Sequence, residues 1–366
     1  MAIAAAAVAF SAFVVAIVML FAGSSAPGAG YGIAPGEVVL STPARQAINL
    51  RQHGDYAGAI SQSKAVLADP LSTIDDKATA VLSMAGAEFY ESQDIQDRIK
   101  DIPALKQVYL NQSASLRMRI EALNAIVTQY SASGLDQRVF DEIFRDAPFD
   151  TFRVPGDNGL SLRKLSEVSY SELPNAVAAI RVARWYSGQK LDNPDLEQAT
   201  ADSYASKAQE FLKKADDAAI KEYQGAARTW SFSYINYRLY RAHVIGNLAA
   251  VVGEPYLSQY EGEFEDLIQV AQDTPNITGQ GALLSARFPY AIRLESLGKS
   301  EAAKEQLDQL ALDLRAITEP GTSSFVLFLR NLETSSGSGV YRWSTLTDRL
   351  FPLSPSFKAA VDAVIG

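Results

Sequence analysis

From Thr42 onward, apolar residues recur every three to four positions, the spacing that gathers them on one face of an α-helix. Ala78, Val81, Leu82, Ala85 and Phe89 form one such stripe, and Leu116, Ile120, Leu123, Val127 and Tyr130 another. Tyr260, Phe264, Leu267, Ile268 and Ala271 repeat the pattern, as do Ala303, Leu307, Leu310 and Leu314. No stretch alternates apolar and polar residues between hairpin turns, so strands are not expected. The stripes are separated by short breaks at Gly54, Pro70, Gly134, Gly188, Pro194, Gly253-Glu254-Pro255, Gly298 and Pro320-Gly321. Short connections between amphipathic helices make neighbours antiparallel, which predicts stacked helical hairpins. The longest irregular stretch, Asp146 to Asn158, reads as a boundary between two halves near residue 150 or as a long loop on one solenoid face. After residue 320 the pattern loosens into a Ser/Gly loop at Ser335–Gly339 and a last short helix framed by Pro352 and Pro355.

Ahead of Thr42 the pattern is of another kind. Between Ala2 and Phe21 the only polar residue is Ser11, whose hydroxyl can bond back to its own helix. At about 1.5 Å per residue this run spans roughly 30 Å, the thickness of a bilayer's hydrocarbon core. Ser24 to Gly36 follows as a linker in which Pro27 and Pro35 bar helix continuation. Ala22-Gly23-Ser24 could serve as a signal cleavage site. The amino end carries no Lys or Arg, however, and the apolar run is long for a signal, which favours a retained anchor; cleavage would make the protein secreted. The first basic side chain is Arg45 and the first charge after the helix is Glu37, which favours an extracytoplasmic body. The expected layout is an anchor at 1–23, a linker at 24–41, helical hairpins at 42–150, further helical repeats at 151–320 and short helices at 321–366.

Composition narrows the partners. Net charge is −9, and no Lys/Arg cluster offers a footprint for a phosphate backbone, so nucleic acid is not an expected partner. Cysteine is absent, which removes disulfides, thiolate metal sites and Cys nucleophiles together.

One segment is more specific. Ala44 to Pro70, ARQAINLRQHGDYAGAISQSKAVLADP, resembles a tetratricopeptide repeat in its Gly54-Asp55-Tyr56 turn, the small Ala59 followed by Ile60, then Ala65, Leu67 and a closing Pro70. It departs from that family in having Ala47 and Leu50 in the first helix, and Ser63 where an aromatic is usual. Ala286 to Arg315 is a second match, with Leu297-Gly298-Lys299 as the turn and Ala303 and Leu307 behind it. The resemblance covers some 60 residues. It implies an α-solenoid of paired helices and a partner-binding scaffold, without a residue-level site.

Little chemistry stands out. The two histidines, His53 and His243, fall in no HExxH or i,i+4 metal pairing, and no G-x-S-x-G elbow is present. The acidic group Glu261, Glu263, Glu265 and Asp266 reads as a solvated helix face. No cofactor and no metal are expected. The richest stretch runs from Arg228 to His243, where Trp230, Tyr234 and Tyr237 share a helical face continued by Tyr240 and Arg241. With Arg181, Arg184, Trp185 and Tyr186 it concentrates rings and guanidinium groups that could grip a peptide or a sugar. The plainer reading is that the same aromatics pack the solenoid core with their phenol hydroxyls at its rim. The expectation is therefore an all-α protein, a transmembrane helix followed by a solenoid, acting without catalysis. It would be bound to the membrane through residues 2–22 and to a protein or peptide partner, with a saccharide at the Trp230 face as the alternative.

Overall fold

The computed structural model describes residues 38–91, 100–132, 162–223, 233–273, 277–317, 324–334 and 343–365. The apolar run at 2–21, the Pro/Gly linker at 24–36, the irregular stretch at 146–158, Trp230 and the Ser/Gly loop lie outside these residues. Among the described residues there are helices and no strands, and no helix is long and apolar enough to cross a membrane.

The helices are α1 (Thr42–Gln52), α2 (Tyr56–Ala68), α3 (Ile74–Glu91), α4 (Ile102–Leu110), α5 (Leu116–Ala132), α6 (Leu162–Glu172), α7 (Ala176–Asp192), α8 (Gln198–Glu222), α9 (Tyr234–Val251), α10 (Tyr256–Gln272), α11 (Ile277–Ser296), α12 (Ser300–Arg315) and α13 (Ser324–Thr334). Then comes α14, three abutting pieces Trp343–Thr345, the π-helical Leu346–Leu350 and Phe351–Leu353, and finally α15 (Pro355–Ile365). Contacts divide the chain into two compact units. One gathers the described residues up to Val182 with Lys213–Tyr237, and the other gathers Ala183–Leu212 with Arg238–Gly366.

In the first unit the turns set the hairpins. Gly54 has a φ of 80°, a left-handed conformation that costs a side-chain-bearing residue strain. It closes α1 through paired bonds, Asp55 N–H to the Leu50 carbonyl (3.0 Å) and Gly54 N–H to the Arg51 carbonyl (3.1 Å). Asp55 then caps α2, its carboxylate accepting from Gly58 N–H at 2.8 Å. Thr73 and Asp76 form a reciprocal cap on α3, with Asp76 N–H to Thr73 Oγ1 at 3.0 Å and Thr73 N–H to Asp76 Oδ2 at 3.1 Å.

The same turn of α3 holds its neighbours. Asp76 Oδ1 accepts from Ser41 N–H at 2.7 Å, and Asp75 Oδ1 accepts from Ser115 N–H at 2.9 Å. The starts of α1, α3 and α5 are thereby brought to one end. Burial alone would raise the Asp76 carboxyl, but the bonds from Ser41 and Thr73 outweigh it and hold the group below its ordinary value. Behind these ties lies an apolar core of Ala78, Leu82 and Ala85 from α3, Ile102, Leu105 and Val108 from α4, and Met118, Leu123, Ile126 and Val127 from α5.

In the second unit α11 lies between α10 and α12. The stripes at Tyr260–Ala271 and Ala303–Leu314 are the buried faces of α10 and α12, as their spacing predicts. The Phe264 and Tyr290 rings stack at 5.0 Å, and Phe288 packs edge-on against Phe325 and Phe328. Gly298, with a φ of 75°, closes α11 with the same pair of bonds that Gly54 uses, Lys299 N–H to Leu294 and Gly298 N–H to Glu295. Asp308 of α12 receives Ser354 Oγ at 2.7 Å, while Ser354 Oγ caps α15 by accepting from Phe357 N–H. Lys304 first, then Ser356 and Ser354, hold the Asp308 carboxyl down at about 2.

Two expectations change at the level of side chains. Leu116, placed on the α5 stripe, is 59% exposed at the helix start, and the buried face of α5 begins at Met118. The acidic group on α10 is not uniformly solvated, because Glu263 turns inward and pairs with Arg241 and Arg238 of α9.

Candidate functional site

The residues singled out by sequence are distributed over both units. In the second, the Arg184 guanidinium lies over the Tyr240 ring at 4.9 Å, and the Trp185 ring packs edge-on against Tyr186 and Tyr204. Arg241 is held in its ion pair with Glu263. In the first, the Tyr234 ring lies against Tyr223 at 5.1 Å, and Tyr237 stacks on Tyr223 at 5.8 Å. Tyr237 is buried, and its hydroxyl donates to Asp216 Oδ1 at 2.7 Å. Tyr186, Tyr237 and Tyr240 are buried, while Trp185 and Tyr234 are half-buried. Trp230 falls outside the described residues.

Arg181 is placed differently. It lines a half-open cavity of about 40 Å³ inside the first unit. The lining comes from every second described helix: Arg51 of α1, Leu82 and Gly86 of α3, Glu121 through Gln129 of α5, Val177 and Arg181 of α7, and Ser233 and Asn236 at the start of α9.

The cavity is polar, and its polar groups are buried. Arg51 leaves only 7% of its surface exposed, Arg181 5%, Glu121 2% and Gln129 none. Arg51 follows Ala44, Ala47 and Ile48 on the buried stripe of α1, so the helix carries a guanidinium where its period calls for an apolar side chain. It lies across Gly86: a Cβ there would come within 2.6 Å of Arg51 Nη1 and 3.0 Å of its Cδ. Burial lowers the Arg51 pKa to about 10, against the pull of Tyr90, Tyr56 and Glu121, so the group is still cationic at neutral pH. Arg181 Nη2 donates to Thr128 Oγ1 at 2.8 Å, and that hydroxyl donates in turn to the main-chain carbonyl of Asn124 at 2.7 Å.

Glu121 is engaged on the other side. Ser233 Oγ donates to its Oε1 at 2.7 Å, Tyr223 Oη donates to Ser233 at 3.1 Å, and the Arg117 guanidinium stands 3.5 Å away. Arg117 also reaches the Glu222 carbonyl, and the Glu222 carboxyl accepts the Ala176 N–H at the head of α7. Burial pushes the Glu222 carboxyl up to about 8. In contrast, both side-chain polar atoms of Asn124, both of Gln129 and the Oδ1 of Asn236 have no hydrogen-bond partner. The arrangement can hold a small polar molecule. Among the described residues no group of His, Asp and Glu is placed to hold a metal ion.

Of the cavity's polar residues, the sequence reading had singled out Arg181 alone. Glu121, Asn124 and Thr128 recur at helical spacing through α5, and Arg51 sits in the apolar register of α1; polar residues at core positions were the available signal.

Compared with protein-family models, with curated proteins and with solved structures, the chain matches none.

Proposed function

We propose that this protein is a non-enzymatic binding scaffold of tetratricopeptide-repeat type, tethered to a membrane by residues 2–22, which holds a protein or peptide partner on its paired helices. The observation that carries the reading is the shared end of α1, α3 and α5, tied by Ser41 to Asp76 and by Ser115 to Asp75. When the first helices of successive hairpins run in parallel, they build one continuous face, which is how helical-repeat proteins receive extended partners. The matching glycine turns at Gly54 and Gly298, which fall in the two stretches that resemble the repeat, support the same reading. The tether rests on the apolar run and its Pro/Gly linker, and the extracytoplasmic side on the charges flanking that run.

Crosslinking in intact membranes, followed by isolation of the full chain from a detergent extract, tests the scaffold. One recurring polypeptide adduct is expected, and recovery of the chain alone in repeated crosslinked preparations would refute it. Protease added to intact cells should cut the helical body; protection until lysis would place that body on the cytoplasmic side.

A further inference from the structure

The shared end of α1, α3 and α5 reaches further across the first unit. Arg117, next to Leu116 at the start of α5, donates to the Glu222 carbonyl at the end of α8, and the Glu222 carboxyl accepts the Ala176 N–H that opens α7. Short turns set the ends of α2 and α4 beside the starts of α3 and α5. Several large apolar side chains lie bare at this end. Leu71 in the turn before α3 is 88% exposed, Val39 ahead of α1 65% and Leu116 59%. Ile74 at the start of α3, Leu110 at the end of α4 and Ile220 near the end of α8 are exposed as well. These are six of the ten large apolar side chains exposed among the described residues, gathered at one end of one unit. Apolar residues exposed singly are ordinary, whereas such a gathering marks a contact surface.

The polar groups at this end are turned to internal use. A helix start ordinarily leaves N–H groups to water. Here the side chains of Ser41, Thr73, Ser115 and Asn175 accept from the N–H groups of Ala44, Asp76, Met118 and Ala178, one cap for each of α1, α3, α5 and α7. The carboxylates of Asp69, Asp75 and Asp76 accept from the main-chain N–H groups of Leu71, Ser115 and Ser41. What covers the end follows from where the chain enters it. Val38, the first of the described residues, and Leu40 pack against Ala44 and Ile48 of α1, with Val39 turned out between them. Residues 22–37 separate this end from the apolar run, and sixteen residues span at most about 55 Å.

We infer that this end is seated on the bilayer surface, with Val39, Leu71, Ile74, Leu110, Leu116 and Ile220 entering the boundary between headgroups and acyl chains. The inference rests on the tether proposed above and adds the face that the body turns to the membrane. The six positions are spread over the tips of α1, α3, α4, α5 and α8. Packed helices lie about 8–10 Å apart, so such a set spans a plane and not a pocket. With a net charge of −9 the chain is repelled by anionic lipid, and the contact is therefore apolar, on lipid without net charge.

Single cysteines carrying a fluorophore test this in the full chain, which has no cysteine of its own, after reconstitution into phosphatidylcholine vesicles. Ala68→Cys and Gln112→Cys place the label at exposed positions beside the apolar set, and His53→Cys and Glu91→Cys at exposed positions at the far ends of α1 and α3. Ser11→Cys places it in the apolar run. Lipids spin-labelled high on the acyl chain quench from the membrane, and iodide quenches from the water. Labels at 68 and 112 should be quenched by the lipid and shielded from iodide, those at 53 and 91 the reverse, and that at 11 quenched by the lipid. Leu71→Glu with Leu116→Glu, both at exposed positions, should abolish lipid quenching at 112 and leave that at 11 unchanged. The inference is overturned, and the tether stands, if 11 is quenched by the lipid while 68 and 112 behave as 53 and 91 do. It is also overturned if 68 and 112 are shielded from iodide without lipid quenching, the result that a second copy or the apolar run folded over this end would give, or if the double Glu variant changes nothing. Lipid quenching at 68 and 112 but not at 11 would support the seated end and refute the tether, and lipid quenching at no position would refute both.

Discussion

Gly86→Ala should change the sign of its effect according to what occupies position 51. In the parent, the new methyl would sit 2.6 Å from Arg51 Nη1 and 3.0 Å from its Cδ, where ordinary contacts lie beyond 3.4 Å. Arg51 is buried between α1, α3 and α5, so it cannot simply swing into solvent. Forcing an extra methyl into such packing costs about 1–3 kcal/mol. Against this, replacing glycine by alanine inside a helix contributes about 1 kcal/mol of stability. The net expectation for Gly86→Ala alone is a loss between about 0 and 2 kcal/mol. In an Arg51→Ala background the clash disappears and only the helix term survives, so the same substitution should stabilise by about 1 kcal/mol. The coupling between the two positions is then about 1–3 kcal/mol, well above what independent sites show. Denaturant unfolding of the four proteins, followed by helical circular dichroism, measures it. Equal effects of Gly86→Ala in both backgrounds would refute the placement of Arg51 across α3.

Other consequences follow from single groups. Gly298 has open space around its missing Cβ but a left-handed φ, so Gly298→Ala should cost about 1 kcal/mol, whereas Gly262→Ala in α10, with equal space and no such φ, should stabilise by a similar amount; melting of the two variants in opposite directions is the check. Leu105 is fully buried in the first core, and Leu105→Ala should cost about 2–5 kcal/mol, read as a lowered denaturation midpoint. The raised Glu222 carboxyl takes up its proton more readily folded than unfolded, so its contribution is complete below pH 4.5 and is lost as pH rises toward about 8, at no more than about 1.4 kcal/mol per pH unit. Glu222→Gln should therefore gain stability relative to the parent across that window. His243 has the opposite sign: burial first, then Arg184, lowers it to about 3, so its contribution is present above pH 6.5 and lost as pH falls. His243→Phe should accordingly lose less stability than the parent between pH 6.5 and 3, by denaturant titration at each pH.

Much of the helical architecture was legible in the spacing of apolar residues. The stripes on α10 and α12 are the faces those helices bury, because helices with one apolar side have one way to hide it. Gly54 and Gly298 announced their turns, since a left-handed residue at a helix end is most cheaply a glycine. The cavity was not legible for a matching reason. A period made of apolar positions passes over Arg51, Glu121, Asn124 and Gln129, which sit in the buried register but are polar, and only tertiary packing shows that they face one another. Tyr237 illustrates the converse. Its ring and hydroxyl suggested a grip on a ligand, yet both are used within the unit, against Tyr223 and Asp216.

The account stands on α1, α3 and α5 running in parallel from a common end. The chain has no cysteine, so introduced pairs report without background. Cysteines at positions 41 and 76, and separately at 75 and 115, should each form an intramolecular disulfide in the folded full chain, because hydrogen bonds of 2.7 and 2.9 Å already join those residues. Position 41 joining a cysteine at position 91, at the opposite end of α3, in place of one at 76 would mean that α1 and α3 run antiparallel and would contradict the account.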